Sequence, residues 1–314
     1  MNAHARELAD GFDLEHLTPE FYANPYPTYR ALRESEPVKR MRNGSYFLTR
    51  YDDLVTAYKN TREFSSDKKT EFFPKYGDTP LYEHHTTSLV FNDPPAHTRV
   101  RRLIMGALSP RAIAGMEPDL IKLVDMLLDR IADRDTFELI EDFAASIPIE
   151  VIGNLLDVPH KEREPLRDWS LAILGALEPV VSPAVADRGN KAVKDFLAYL
   201  ETLVARRRAK PGDPTRDVLT RLILGEDNGE RLTEKELLHN CIFLLNAGHE
   251  TTTNLIGNGL VTLSHYPEQK QRLIDHPDLI KTSVEEMLRF ESSNQLGNRM
   301  IVAPVELGGI ALPA

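Results

Sequence analysis

The sequence predicts a mainly α-helical fold with a small β-sheet, and three observations predict it. From Asp93 to Ser292 most segments carry apolar residues at helical spacing. One of them, Glu234 to Ser264, is 31 residues long, enough to run about 46 Å and cross a domain. No regular alternation of strand and helix occurs, so a doubly wound parallel sheet is not predicted.

Each element follows from local signals. Tyr26 to Glu36 reads as a short helix stopped by Pro37. Val38–Arg42 and Ser45–Thr49 flank Asn43-Gly44, a strong hairpin signal. A helix is predicted over 51–60, and residues 61–92 read as irregular loop with scattered Gly, Pro and His. Asp93 is placed as a cap with Pro94 at the first helical position. Further helices are predicted over 117–133, 138–156, 161–176, 187–208, 215–224, 234–264, 268–275 and 278–292. Pro211-Gly212-Asp213-Pro214 punctuates the link between two of them. After Gln295 the chain turns β-like at Met300-Ile301-Val302 and reaches Gly308-Gly309 turns, so the small sheet draws on both ends of the chain.

Composition narrows the function. The 314 residues are 41 % hydrophobic, ample for a core, no internal repeat is visible, and the length suits two domains or one large one. The net charge of −10 argues against nucleic acid or an anionic membrane as partner. A single cysteine, Cys241, excludes a disulfide scaffold. The first twenty residues are polar, without a signal core. The least charged stretch, 171–186, is broken by Glu178, Pro179 and Pro183, so no membrane span is predicted and a cytoplasmic location is expected.

The segment 234–264 carries the most information. Thr233 and Glu236 form a capping box before it. Cys241-Ile242-Phe243-Leu244-Leu245 is apolar all round, which predicts burial. Its middle then reads Asn246-Ala247-Gly248-His249-Glu250-Thr251-Thr252-Thr253, a poor choice for helix propensity alone. Two readings stand: a solvated polar stretch, or a notch for a ligand with an acid and a hydroxyl beside it for proton delivery. The notch reading expects a bend or widening of the helix there. His97 and Arg101 fall at i and i+4 on one helix face, and Glu286 and Arg289 at i and i+3 on another. The pair at 286 and 289 is expected to pack toward the core and to serve folding.

Metal and nucleotide motifs fail. A zinc-type H-E-x-x-H would need histidine at 253, where Thr253 stands. His84-His85 are read as surface imidazoles, and the Arg206 to Lys210 run as cations complementing a helix end.

In this order and spacing the features resemble the cytochrome P-450 family, the haem-thiolate monooxygenases, and its soluble bacterial members in particular. Ala247-Gly248-His249-Glu250-Thr251-Thr252 resembles the A-G-x-[DE]-T-T signature of the family's long helix, and Glu286-x-x-Arg289 its E-x-x-R pair. Asp93-Pro94-Pro95-Ala96-His97-x-x-x-Arg101 resembles its propionate-contacting helix. Asn24-Pro25-Tyr26-Pro27 and the arginine run before Pro211 are similar to bacterial members. Gly297-Asn298-Arg299 with Glu306-x-x-Gly309-x-x-Leu312-Pro313 resembles a strand with a further propionate-binding arginine.

The resemblance implies that residues 1–314 are a single cytochrome P-450-like domain of helical fold, with a haem b cofactor. It implies hydroxylation of a lipophilic small molecule, a terpenoid or fatty acid, with O₂ and electrons from a ferredoxin and its reductase. Glu250 and Thr251 would be the catalytic proton relay. His97, Arg101, Ala247, Gly248 and Arg299 would contact the cofactor, and Glu286 with Arg289 would be a structural pair. The family's cysteine ligand lies well beyond the E-x-x-R pair, whereas only 25 residues follow Arg289 here. Cys241 is about 15 Å from Thr251 along the helix and cannot replace it. No residue is therefore assigned as an iron ligand. The expectation is a domain incomplete at its C-terminus and inactive as the 314-residue chain, the alternative class being a pseudoenzyme or one part of a split protein.

Overall fold

The structure, a computed structural model, describes residues 3–108, 110–214, 217–225 and 229–314. The backbone divides into two compact units, one of Met1–Asp67, Glu178–Val181 and Asn298–Ala314, the other of Lys68–Leu177 and Ser182–Gly297.

The first unit holds helices α1 (Ala3–Gly11), α2 (Pro19–Ala23), α3 (Tyr26–Ser35) and α4 (Tyr51–Lys59). Its strands are β1 (Val38–Arg40), β2 (Tyr46–Leu48), β3 (Phe64–Ser65), β4 (Met300–Ile301), β5 (Val305–Leu307) and β6 (Ile310–Leu312). They pair as three two-stranded antiparallel sheets. The predicted hairpin forms, with Val38 opposite Leu48 and Gly44 at φ 88°, a conformation that costs glycine little. β3 pairs with β4, Phe64 opposite Ile301, so both ends of the chain do meet in one sheet. Val38, Ala57, Phe64, Leu307 and Leu312 form one small core, and Ala9, Phe12, Ala31, Leu32 and Met41 another.

The second unit is helical: α5 (Lys69–Tyr76), α6 (Pro80–Thr87), α7 (Ala96–Ala107), α8 (Pro110–Ala114), α9 (Glu117–Ile131), α10 (Ser146–Leu155), α11 (Glu164–Gly175), α12 (Pro183–Ala209), α13 (Val218–Leu224), α14 (Glu234–His265), α15 (Pro267–Asp275) and α16 (Ile280–Phe290). α14 is the long predicted helix. Its capping box is formed, Glu236 N–H donating to Thr233 Oγ1 at 3.2 Å and Thr233 N–H to Glu236 Oε2 at 2.9 Å. The core runs from α5 to α14, with Leu81, Phe196, Leu200, Leu219, Ile242 and Leu245 fully enclosed.

Four readings of the elements need correction. Residues 61–92 are not loop, since α5 and α6 lie within them. Thr79 with Pro80 is a helix-start signal, and α6 buries Leu81, His84 and His85, which erases a one-sided pattern. Asp93 does not cap α7. A residue before proline avoids helical backbone, so Pro94 cannot start a helix ahead of Pro95, which takes the cap position instead. The span 138–156 is broken, with a π turn at Ile140–Ala144 ahead of α10. α12 begins four residues earlier than predicted, at Pro183, with the Ser182 side chain accepting from Val185 N–H. Of the helix predicted over 215–224, residues 215 and 216 lie outside the described residues.

Candidate functional site

α14 is buried from Leu237 to Ile242 and half-open around its middle. Cys241, Ile242, Leu245 and Asn246 are buried, whereas Ala247 is exposed and Gly248, Glu250, Thr251 and Thr252 are half-buried. Ala247 and Thr251, at i and i+4, share the open side. The Thr251 hydroxyl donates to the Ala247 carbonyl at 2.7 Å. The expected widening is not found: α14 keeps α-helical bonding from Glu234 to His265 without a π turn. A threonine hydroxyl that bonds back to its own helix adds a contact without breaking the ladder.

Gly248 does not belong to the open side. A Cβ there would come 2.5 Å from Ile152 Cδ1 of α10, so glycine serves helix packing. His249 turns inward too. It is 2 % exposed, its Nδ1 lies 3.2 Å from Ser170 Oγ of α11, and burial lowers its pKa to about 4. The ring therefore faces α11, away from the side on which Ala247 and Thr251 are open.

On α7, His97 is half-buried and Arg101 exposed, and neither side chain has a partner among the described residues. Its other face is tied down: Arg99 pairs with Glu236 and donates to the Arg231 carbonyl at 3.2 Å, and Arg102 pairs with Glu230 at 3.1 Å. His97 also lines a cavity of about 260 Å³ with Thr86, Leu89, Asn92 and the first turn of α14. Ala247 lies about 16 Å further along α14 than Glu236. Arg299, in the first unit, sets its guanidinium 4.3 Å from the centre of the Tyr58 ring.

Glu286 and Arg289 do pair, Arg289 donating from Nε at 2.7 Å and from Nη2 at 2.6 Å to the two carboxylate oxygens. These hydrogen bonds hold Glu286 below the usual carboxylate range. The expected burial is absent: α16 has no buried residue, and the two side chains are 58 % and 68 % exposed. An i, i+3 pair forms as readily on a solvated face as on a packed one, so spacing alone could not tell them apart.

The histidines at 84 and 85 also depart from expectation. Both are 2 % exposed, and His84 Nδ1 meets His239 Nδ1 of α14 at 3.4 Å. Among the described residues no group of three or more His, Cys, Asp or Glu is placed to hold a metal ion. The arginines ending α12 are cross-links as well as helix-end cations: Arg206 pairs with Glu162 at 2.7 Å, Arg207 with Asp217 at 3.2 Å, and Arg208 with Glu234.

A haem can be tested against these residues. The open strip at Ala247 and Thr251 admits a flat apolar group, and the unpartnered His97 and Arg101 fit carboxylate side arms by charge-assisted hydrogen bonds. A thiolate is not offered. Cys241 is fully enclosed, and burial pushes its thiol up to about 12. The residues of the cradle fit a haem, and Cys241, the single cysteine, would not be the one to hold its iron.

A unit of small antiparallel sheets, and a helical unit whose longest helix carries an acid next to a hydroxyl, define the class, a mainly helical fold. The comparisons give the family. The family model "Cytochrome P450" matches residues 174–314. The biotin biosynthesis cytochrome P450 of Bacillus subtilis is 32 % identical over 93 % of this chain and 73 % of its own length. Vitamin D(3) 25-hydroxylase of Pseudonocardia autotrophica is 34 % identical over 94 % of this chain and 71 % of its own. Among solved structures, P450BioI in complex with hexadec-9Z-enoic acid ligated acyl carrier protein superimposes with TM-score 0.86 at 32 % identity, over 94 % of this chain and 75 % of that one. Myxobacterial CYP267B1 in complex with myristic acid gives 0.83 at 32 % identity, over 96 % and 75 %. The chain belongs to the cytochrome P450 family. No helix among the described residues is long and apolar enough to cross a membrane.

Proposed function

We propose that residues 1–314 are the substrate- and proton-handling part of a monooxygenase domain that hydroxylates a lipophilic small molecule. The observation that carries this reading is the accessibility of mid-α14, where Ala247 is exposed and the neighbouring Glu250 and Thr251 are half-buried. Haem b, when bound, supplies the redox chemistry that activates O₂ and delivers one oxygen atom to a C–H bond. The chain's own residues do the rest. His97 and Arg101 hold the propionates by charge-assisted hydrogen bonds. For Arg299 the same role rests on the resemblance alone. Ala247 keeps the strip low and apolar, so a flat ring can lie against it. Thr251 has its hydroxyl hydrogen on the Ala247 carbonyl, which leaves the oxygen free to accept toward the groove. Glu250 is the adjacent proton reservoir.

A fatty acid is favoured over a terpenoid as substrate, because two structural relatives carry hexadecenoyl and myristic acid chains. A ferredoxin with its NAD(P)H-dependent reductase is the proposed electron source, in a cytoplasmic setting. Residues 1–314 alone are proposed to be inactive, because their one cysteine, the enclosed Cys241, offers no thiolate to a bound haem.

The test is to purify the chain with added haem and record the spectrum of its reduced carbon monoxide complex. The expected result is no thiolate-type Soret band. Such a band, or ferredoxin-supported hydroxylation, would overturn the proposed inactivity. Loss of haem retention in His97→Ala and Arg101→Ala is expected if the cradle is as described.

A further inference from the structure

Behind the open strip, α14 carries a row of polar side chains turned into the protein. Asn246, His249 and Thr253 stand at i, i+3 and i+7, on one helix face, and are 5, 2 and 5 % exposed. Asn246 Oδ1, His249 Nε2 and Thr253 Oγ1 are each shielded from solvent and have no hydrogen-bond partner among the described residues. Three such atoms in two turns is a concentration that folded proteins avoid, because an unpaired buried polar group loses its hydration without compensation. The neighbouring element repeats the pattern. Arg167 of α11 binds Glu141 through both terminal nitrogens at 2.6 and 2.7 Å, yet its Nε is buried and unpaired. Ser170, one turn on and fully buried, contacts His249 Nδ1 at 3.2 Å.

The chemistry of the set selects its ligand. Asn246 Oδ1 only accepts, Arg167 Nε only donates, and Thr253 Oγ1 and a neutral imidazole nitrogen serve either way. A small molecule that donates and accepts at once satisfies all of them, and water is that molecule. Burial keeps the His249 ring neutral at pH 7, and the nearby Arg167 charge acts in the same direction. A neutral imidazole donates a hydrogen bond at one nitrogen and accepts one at the other. The row also ends where protons are wanted. Glu250 is one turn from both ends of it, at i+4 from Asn246 and i−3 from Thr253.

We propose that the α11–α14 interface is an internal water site, in which ordered water bonded to Asn246 Oδ1, His249 Nε2 and Thr253 Oγ1 carries protons from the surface Arg167–Glu141 pair to Glu250, with His249 as the positioning residue. His249, held at Nδ1 by the Ser170 contact, stays neutral and anchors the water through Nε2. Each proton that enters the water row at the Arg167–Glu141 side releases one from its other end to Glu250, so the row keeps its own charge and composition. The proposal rests on the reading that Glu250 and Thr251 handle protons.

The experiment uses the 314-residue chain and does not depend on bound haem. A crystal structure showing ordered water, and water-to-side-chain cross-relaxation by NMR, are compared for the wild type, His249→Phe and Thr253→Val. The wild type is expected to show water on all three atoms. His249→Phe is expected to lose it, and the Glu250 carboxyl, followed by carbon-13 titration, is expected to shift upward as its hydration is lost. A dry interface in which the three atoms bond to protein groups overturns the proposal, as does a Glu250 titration unmoved in both variants. If His249→Phe does not fold, Thr253→Val and the wild-type water signals decide. Failure of the functional reading looks different: Glu250→Gln would leave hydroxylation by the thiolate-completed enzyme unchanged while the water row remained.

Discussion

Thr251 Oγ1 and the Ala247 carbonyl oxygen, 2.7 Å apart on the open strip of α14, form a bond that closes within one turn of the helix. It fixes which way the hydroxyl hydrogen points, and its cost or benefit to folding is small because the site is half-solvated. Thr251→Val removes the hydroxyl and keeps the shape. The unfolding free energy is expected to change by no more than about 0.5 kcal/mol, as for most surface substitutions. Chemical denaturation measures it. A loss several times larger would show that the hydroxyl holds α14 in place, and the proton-handling role would lose its separateness from structure.

The same reasoning reverses the expectation for Glu286. The bidentate contact to Arg289 is well formed, but both partners are more than half exposed, and exposed pairs contribute little. Glu286→Ala is expected to leave the melting curve of the chain unmoved. The sign of its pH effect is fixed all the same: the carboxylate is held low in the fold, so its contribution is present above the unfolded carboxylate pKa and fades as pH falls through the folded value. A clear drop in melting temperature would show that the pair is desolvated in solution.

Sequence reasoning reached the central helix, its capping box and the hairpin because each rests on a local signal: Thr233 with Glu236, and Asn43-Gly44. It failed where burial is many-sided. α6 packs Leu81 against one neighbour and His84 against another, so no single apolar stripe betrays it. The directions of Gly248 and His249 are set by Ile152 and Ser170, residues far away in the chain, and so are not written in the local sequence. The row at 246, 249 and 253 has a helical period that could have been read, but polar residues at that period look like a wet face until their burial is known.

Leu81 tests the helix that the sequence hid. Its side chain is completely enclosed and would meet any Cβ placed at Gly189 of α12 within 2.9 Å. Were 61–92 a surface loop, Leu81→Ala would be neutral. In this packing it opens a cavity in the main core, and the expected cost is about 2–5 kcal/mol. A urea midpoint close to wild type would place α6 outside the core.

The histidines beside it make an acid test of the same packing. His84 and His85 of α6 and His239 of α14 are buried together, with Phe72, Tyr76 and Phe91 against the rings. The charged neighbours are the Glu83–Lys235 pair at 2.5 Å and Lys75 above the Tyr76 ring at 5.2 Å. Desolvation is the main cause of the shifts: His85 falls to about 3, His239 to about 4, and His84 well below its ordinary value. The unfolded chain titrates near pH 6.5, so below that pH it binds protons the fold refuses. Stability is therefore fully present above about 6.5 and declines as pH falls toward the folded values near 4 and 3. Urea unfolding followed from pH 7 to 4.5 should show a falling midpoint and net proton uptake on unfolding. Replacing His84 by Leu removes one of these protons and should flatten the slope, whatever it does to absolute stability. A slope unchanged by that substitution would mean that His84 is solvated, and that α6 does not lie against α14 as described.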